Sequence, residues 1–399
     1  MRDDAAVVDG GAAPVSIVIA AGGTGGHIYP GLALAGAVLR LAPDARVSFV
    51  GTRRGLEGRL IPEAGHRLHL VDMIPFARNV GARRFLLPAY AARAAGQARG
   101  ILRRERADVA VGMGGYASIP LIAGARLARV PSLIHESGAV AGRANQVAAR
   151  LTGNVATAFD VPAGEFPARV HTRTVGMPLG PELAGFDRDA LRAEARAAFG
   201  LTPDVAMLLV NGGSQGSARL NDAALGLAHR WRDRDDVHIV VKAGRANVDE
   251  VERRLKEVGG EAVATSDAYL DRMDHAYAAA DLALCRAGAG TIAELAVARL
   301  PAVLVPYPFA PDDHQTVNAR VLVDAGAALL VRDREATAEQ LAPQVEELFA
   351  DRDRLVAMGA AAGRVARPHA AEALAAWVLE LAGHEARPAG AGGHEDSDR

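Results

Sequence analysis

One local pattern occurs twice in this chain and constrains the fold more than any bulk property. Residues Val15 to Ala20 form a short apolar run, followed by Gly22-Gly23-Thr24-Gly25-Gly26-His27 and an apolar-periodic segment from Leu32. Residues Val205 to Val210 form a second such run, followed by Gly212-Gly213-Ser214-Gln215-Gly216 and an apolar-periodic stretch from Leu220 to Ala228. A buried strand, a glycine turn and a helix in succession make the opening unit of a doubly wound parallel sheet. Two copies about one domain-length apart, in a chain of 399 residues, predict an α/β protein of two Rossmann-like domains facing each other across a cleft.

The intervening pattern agrees. Arg46 to Val50, Val109 to Gly112, Ser132 to Ile134 and Val155 to Ala158 have the apolar composition of buried strands in the first half. His238 to Lys242, Leu282 to Cys285, Ala302 to Val305 and Ala328 to Val331 do so in the second. The boundary is expected near Val175-Gly176-Met177-Pro178, where a strand-like run meets a Gly/Pro break. This gives domains at 15–176 and 177–367 and a late amphipathic segment at 368–383, whose packing back on the first domain is expected by analogy alone. Residues 1–14 and 384–399 are expected to be unstructured.

Composition narrows the function. Half the residues are hydrophobic, 23% are charged and the net charge is −2, so no chain-wide field attracts a polyanion, and nucleic acid is excluded as first partner. One cysteine, Cys285, rules out an internal disulfide and a cysteine-clustered metal site, and fits a reducing cytoplasm. No basic n-region precedes an apolar core at the start, and no apolar run reaches about 18 residues. Met73 to Ala107 carries eight arginines and one acidic residue, Glu105, interleaved with Ile74, Phe76, Phe85, Leu86, Leu87 and Tyr90. That mixture suits an anionic membrane surface, or else an ordinary arginine-rich solvated helix with a core face.

The glycine loops are the candidates for chemistry. Gly22 to His27 lets backbone approach a ligand at a helix N-terminus, where free N–H groups favour negative charge. The spacing departs from a dinucleotide fingerprint, and Gly51-Thr52-Arg53-Arg54 stands where an acidic ribose partner would end the next strand. His27 lies at the lip of this loop, placed either for general-base work or as a structural histidine. Gly112-Met113-Gly114-Gly115-Tyr116 is a further glycine turn after a strand. In Arg286 to Glu294, the Glu294 carboxylate can accept both hydroxyls of a ribose, or serve as a dipole-favoured helix-start residue. His314, Gln315 and Asn318 can hydrogen-bond sugar hydroxyls. Asp312 and Asp313 have no second cluster to complete a metal site and are expected to cap a helix.

Together AGGTGGHIYPGLALA, GMGGYASIP, LIHE, GGSQGSARLN, CRAGAGTIAEL and DDHQTVNA occur in an order that resembles the MurG family. These are the lipid-linked N-acetylglucosaminyltransferases of peptidoglycan synthesis, and the resemblance runs from Val15 to Ala382. It implies the two-domain GT-B architecture and inverting transfer of GlcNAc from UDP-GlcNAc to the muramyl 4-hydroxyl of undecaprenyl-diphosphate-MurNAc-pentapeptide. It also implies peripheral attachment to the cytoplasmic face of the membrane through the Met73–Ala107 region. Nothing in the residues calls for a cofactor or a metal. By position, His27 matches the family's candidate base. Thr24, Gly25, Gly26, Ser214, Gln215, Leu270, Ala289, Gly290, Glu294, His314 and Gln315 fall on the donor side. Of these, Leu270 matches the residue whose backbone reads uracil. Gly114, Gly115, Tyr116, His135 and Glu136 fall on the acceptor side.

Three departures stand out. Ser137-Gly138 replaces a Gln-Asn pair, Met177-Pro178-Leu179-Gly180 replaces an Asn-Pro-Val-Arg-like pattern, and Gly290 stands where a larger apolar residue is common. The lost guanidinium removes a charged hydrogen bond of about 1.5–3 kcal/mol from the cleft, unless another arginine substitutes. The altered seam leaves open a same-fold transferase with another acceptor or donor sugar, such as a secondary-metabolite or glycolipid paralogue. A UDP-GlcNAc epimerase on the same architecture and a non-catalytic UDP-sugar sensor also stay open.

Overall fold

A computed structural model describes residues 14–53, 55–73, 87–115, 117–162 and 164–384. The expectations for 1–14 and 384–399 therefore fall, apart from Pro14 and His384, outside the described residues. So does most of the apolar-basic stretch, from Ile74 to Leu86.

In the first half, β1 (Ser16–Ala20), α1 (Gly25–Leu41), β2 (Arg46–Gly51), α2 (Glu57–Glu63) and β3 (Arg67–Leu70) come first. They are followed by α3 (Leu87–Glu105), β4 (Val109–Gly112), α4 (Ser118–Ala128), β5 (Ser132–Glu136), α5 (Arg143–Thr152), β6 (Asn154–Thr157) and β7 (His171–Thr174). The seven strands form one parallel sheet in the order β3-β2-β1-β4-β5-β6-β7. The strand order reverses between β1 and β4, which opens a crevice at their carboxyl ends.

Two short helices, α6 (Pro181–Ala184) and α7 (Arg188–Ala198), lead into the second half. There β8 (Ala206–Asn211), α8 (Ala218–Trp231), β9 (Val237–Lys242), α9 (Val248–Glu257), β10 (Ala264–Asp267) and α10 (Met273–Ala279) precede β11 (Leu282–Cys285). Then come α11 (Ala289–Val297), β12 (Ala302–Leu304), α12 (His314–Asp324), β13 (Ala328–Leu330), α13 (Ala338–Ala350), α14 (Arg352–Val365) and α15 (Ala370–Leu381). The second sheet is parallel in the order β10-β9-β8-β11-β12-β13, with its crevice between β8 and β11.

Central strands are apolar throughout because helices cover both faces: every residue of β1, β4 and β11 is buried. Three strands lack a clear apolar run, and each lies at a sheet edge. Arg67-Leu68-His69-Leu70 in β3 and Ala264-Thr265-Ser266-Asp267 in β10 have no counterpart among the expected strands. His171-Thr172-Arg173-Thr174 in β7 corresponds only to the strand-like run before Gly176. An edge strand is half-solvated and can carry polar residues.

The chain crosses back at its end. Leu374, Trp377 and Val378 of α15 join the core formed by Ile17, Leu34 and Val38 of the first half. Arg40–Glu372 and Arg173–Glu380 ion pairs flank this contact. The outgoing and returning crossings touch at Gly176. Its φ is +101°, and a Cβ there would stand 2.7 Å from the Cβ atoms of both Ala370 and Arg367.

Candidate active site

A cleft of about 2580 Å³ separates the two halves and is lined by the carboxyl-end loops of both sheets. On the first wall, Thr24 is the extended residue ahead of α1, and its hydroxyl makes no capping bond among the described residues. The N–H groups of Gly25 and Gly26 therefore open the helix toward the cleft. The loop beneath is fixed by a residue that sequence reasoning missed. Glu57, wholly buried at the start of α2, accepts from Gly23 N (3.0 Å), Thr52 N (3.0 Å) and Thr52 Oγ1 (2.8 Å). A lone Glu after an arginine-rich turn gives no local signal of this; only the fold brings α2 under the glycine loop.

His27 is packed between this loop and the Gly114-Gly115 turn. A Cβ at Gly114 would come within 2.8 Å of the His27 ring, and one at Gly115 within 2.8 Å of the Gly22 carbonyl, so both positions need glycine. Their φ values, +92° and +75°, demand it as well. Burial lowers the His27 pKa, and the neighbouring Gly22 carbonyl opposes that shift. Nδ1 makes no well-formed hydrogen bond among the described residues. The arrangement is a mostly neutral imidazole at a helix N-terminus, able to take up a proton.

His135 does not reach the cleft. It is wholly buried in β5, with Nε2 at 2.9 Å from the Gly176 carbonyl, and burial pushes its pKa down to about 4. Glu136 lines the cleft floor, but its carboxylate is occupied: it accepts from Gly138 N, Gly142 N and Asn145 Nδ2, each at 2.9 Å. It braces the Ser137–Gly142 loop rather than presenting a free carboxylate. Gly114 lies behind His27, outside the cleft lining, while Gly115 is part of it. Tyr116 lies outside the described residues.

The second wall is built by three loops. After β8, Asn211 Oδ1 accepts from Gly213 N at 2.9 Å and turns the exposed Ser214 and Gln215 into the cleft ahead of α8. Gly216, with φ +73°, packs so closely that a Cβ would lie 2.0 Å from the Ala243 carbonyl. After β11, Ala289 and Gly290 form the open first turn of α11, and Glu294 follows one turn later. Glu294 Oε2 accepts from the buried Tyr277 hydroxyl at 2.6 Å, which orients the carboxylate and leaves Oε1 for a ligand. Leu270 completes this wall from the loop after β10.

After β12, Asp312 and Asp313 both adopt left-handed backbone, φ +51° and +50°. Neither carboxylate caps a backbone N–H of α12. Asp313 accepts instead from the Thr316 hydroxyl (2.8 Å), and Asp312 pairs with Arg143 across the cleft (3.2 Å). The capping expectation fails because left-handed backbone at both positions leaves no side-chain cap on the helix's N–H groups. His314 places Nδ1 at 2.8 Å from the Pro311 carbonyl, so that nitrogen carries the proton and Nε2 remains for the cleft. Gln315 does not line the cleft; its side-chain oxygen accepts from Ala287 N and Tyr307 N. Asn318 bridges the halves, accepting from Ala139 N at 2.9 Å beside Gly138 and donating to the Ala287 carbonyl. Arg286, unassigned from sequence, ties Ser217, the Val305 and Pro306 carbonyls and Asp333 together beneath the second wall.

Residues 17–157 match the glycosyltransferase family 28 N-terminal domain, and residues 207–374 match the family 28 C-terminal domain. A Nocardioides protein (strain JS614) named UDP-N-acetylglucosamine–N-acetylmuramyl-(pentapeptide) pyrophosphoryl-undecaprenol N-acetylglucosamine transferase is 42% identical, across 92% of this chain and 98% of its own. A Mycolicibacterium vanbaalenii protein of the same name is 43% identical over 92% of this chain and 90% of its own. The crystal structure of Acinetobacter baumannii MurG superposes with a TM-score of 0.74 at 29% identity, covering 92% of this chain and all of that one. Motifs, paired sheets and relatives agree, and the chain belongs to the MurG family of glycosyltransferases.

Proposed function

We propose that the chain transfers N-acetylglucosamine from UDP-GlcNAc to the muramyl 4-hydroxyl of an undecaprenyl-diphosphate-linked MurNAc-pentapeptide, with inversion. The observation that carries this reading is one cleft with the open N-termini of α1 and α11 on opposite walls, His27 on the first and Glu294 on the second.

Residues 177–367 hold the donor and residues 15–176 the acceptor. Glu294 Oε1 accepts ribose hydroxyls, and the Leu270 backbone reads uracil. Ser214, Gln215 and the first turn of α11 at Ala289 and Gly290 hold the diphosphate. His314 Nε2 reaches the donor sugar. Thr24, Gly25 and Gly26 face the transferring sugar, and Gly115 with Tyr116 positions the acceptor. His27 removes the acceptor hydroxyl's proton, directly or through a water, as that oxygen attacks the anomeric carbon. The new C–O bond forms as the bond to the UDP β-phosphate oxygen breaks. The charge that develops on UDP is stabilised by the helix N-termini, fixed before the reaction begins.

Attachment to the cytoplasmic face of the membrane follows from the lipid-linked acceptor. No helix among the described residues is long and apolar enough to cross a membrane. In α3, Ala98, Ile101 and Leu102 are buried against the first sheet while Arg103 and Arg104 are exposed. The helix thus offers an arginine face to lipid headgroups while its apolar side belongs to the core.

The test is incubation with UDP-GlcNAc and undecaprenyl-diphosphate-MurNAc-pentapeptide, followed by mass spectrometry of the lipid. One added N-acetylhexosamine, with UDP released only when acceptor is present, is the expected result. Transfer to a different acceptor alone would assign the Gly138 and Gly180 changes to an altered substrate.

A further inference from the structure

Only two lysines occur in the chain, and one of them, Lys242, is buried in the wall of the cleft with 7% of its surface exposed. It ends β9, opposite Asn211 of β8, at the carboxyl edge of the second sheet. Among the described residues no carboxylate lies within ion-pair distance of its ammonium; Glu294 acts on it as a more distant opposite charge. Among the described residues its one close partner is the Tyr269 ring, whose centroid is 4.9 Å from Nζ. A buried ammonium without a full partner is costly, and burial lowers its pKa accordingly.

Three groups thus share this part of the cleft: the Lys242 ammonium, the free Glu294 oxygen and the exposed Tyr269 ring. A phosphate would fit the ammonium but would be repelled by the Glu294 carboxylate. The helix N-termini of α8 and α11 already offer anion sites elsewhere in the cleft. A nucleoside satisfies all three groups: its hydroxyls donate to Glu294, its oxygens accept from Lys242, and its base has an aromatic neighbour.

We propose that Lys242 is a specificity-determining residue of the donor site, donating a hydrogen bond to an oxygen of the donor's uridine rather than to its phosphates. This rests on the reading of the second half as a UDP-sugar site. The test is calorimetric titration of the full chain and of Lys242→Met with uridine, UMP and UDP. Losses of about tenfold in affinity, equal for all three ligands, are expected. A loss confined to UMP and UDP, or no loss, would overturn the assignment. Lys242→Gln, which keeps a donor, should recover part of the affinity for uridine, and serves with the same ligands if Lys242→Met does not fold. A wild-type chain binding uridine and adenosine alike would overturn the donor reading itself, and this assignment with it.

Discussion

In the proposed reaction His27 takes up a proton, yet it stands in a loop whose free N–H groups and helix dipole favour negative charge and so disfavour the imidazolium. Burial acts in the same direction and keeps the imidazole neutral below the ordinary histidine range, so it is available as an acceptor, while the Gly22 carbonyl opposes that shift. His27→Ala is therefore expected to lower kcat by on the order of 10²–10⁴-fold. The affinity for UDP should be nearly unchanged, since the proposed UDP site lies on the opposite wall. In the wild type, kcat/KM should hold its plateau to below pH 6.5 and fall only on the acid side of it. A plateau that ends above pH 7 would remove His27 as the base.

His135 gives a separate pH signature. Its folded pKa is depressed from 6.5 to about 4, so between these values the unfolded chain binds the proton and the folded one does not. The stabilisation is complete above pH 6.5 and is lost as the pH falls toward 4, amounting to about 3 kcal/mol. Denaturation midpoints measured from pH 7 to pH 4.5 should fall steeply, and more shallowly in His135→Gln.

At the scale of elements, the glycine loops work because helices and strands hold them from beneath. Glu57→Ala would remove the acceptor of the Gly23 N–H, at a cost of about 1–3 kcal/mol. Turnover should fall with it, while UDP affinity stays, because α2 supports only the α1 wall. A loss of UDP affinity as large as the loss of turnover would show that α2 supports more than this wall. The same contrast explains what was legible in the sequence. Central strands announce themselves because burial on both faces requires unbroken apolar runs, whereas β3 and β10 are edges and carry Arg67, His69, Thr265 and Ser266. Glycine turns at Gly114-Gly115 and Gly216 are legible because positive φ and close backbone approach admit no other residue. Glu57, Arg286 and Lys242 are single polar residues, and each has a partner on a distant loop or strand: Gly23, Ser217 and Tyr269 respectively. His135 and Gln315 show the converse: motif membership marked them, yet their polar atoms are spent on backbone inside the fold.

At the scale of the molecule, two parallel sheets are joined by two crossings, and both run through one point. Gly176 carries the outgoing chain past Arg367 and Ala370 on the return. His135, two sheet strands away, holds the Gly176 carbonyl, so the crossing is tied to the strand that leads into the first wall of the cleft. A methyl group at this position meets two Cβ atoms at 2.7 Å in a backbone conformation that L-residues avoid. Gly176→Ala should therefore shift α15 relative to β7, or open the angle between the halves, at a cost of about 1–3 kcal/mol. The proposed UDP site draws on the loops after β8, β10 and β11, all within the second half, so calorimetric UDP affinity should change less than twofold. Turnover depends on the distance between His27 and that site, and should fall at least tenfold. Equal losses of UDP affinity and turnover would mean that the crossing supports the second half itself, and unchanged turnover would mean that the two walls do not depend on Gly176 for their spacing.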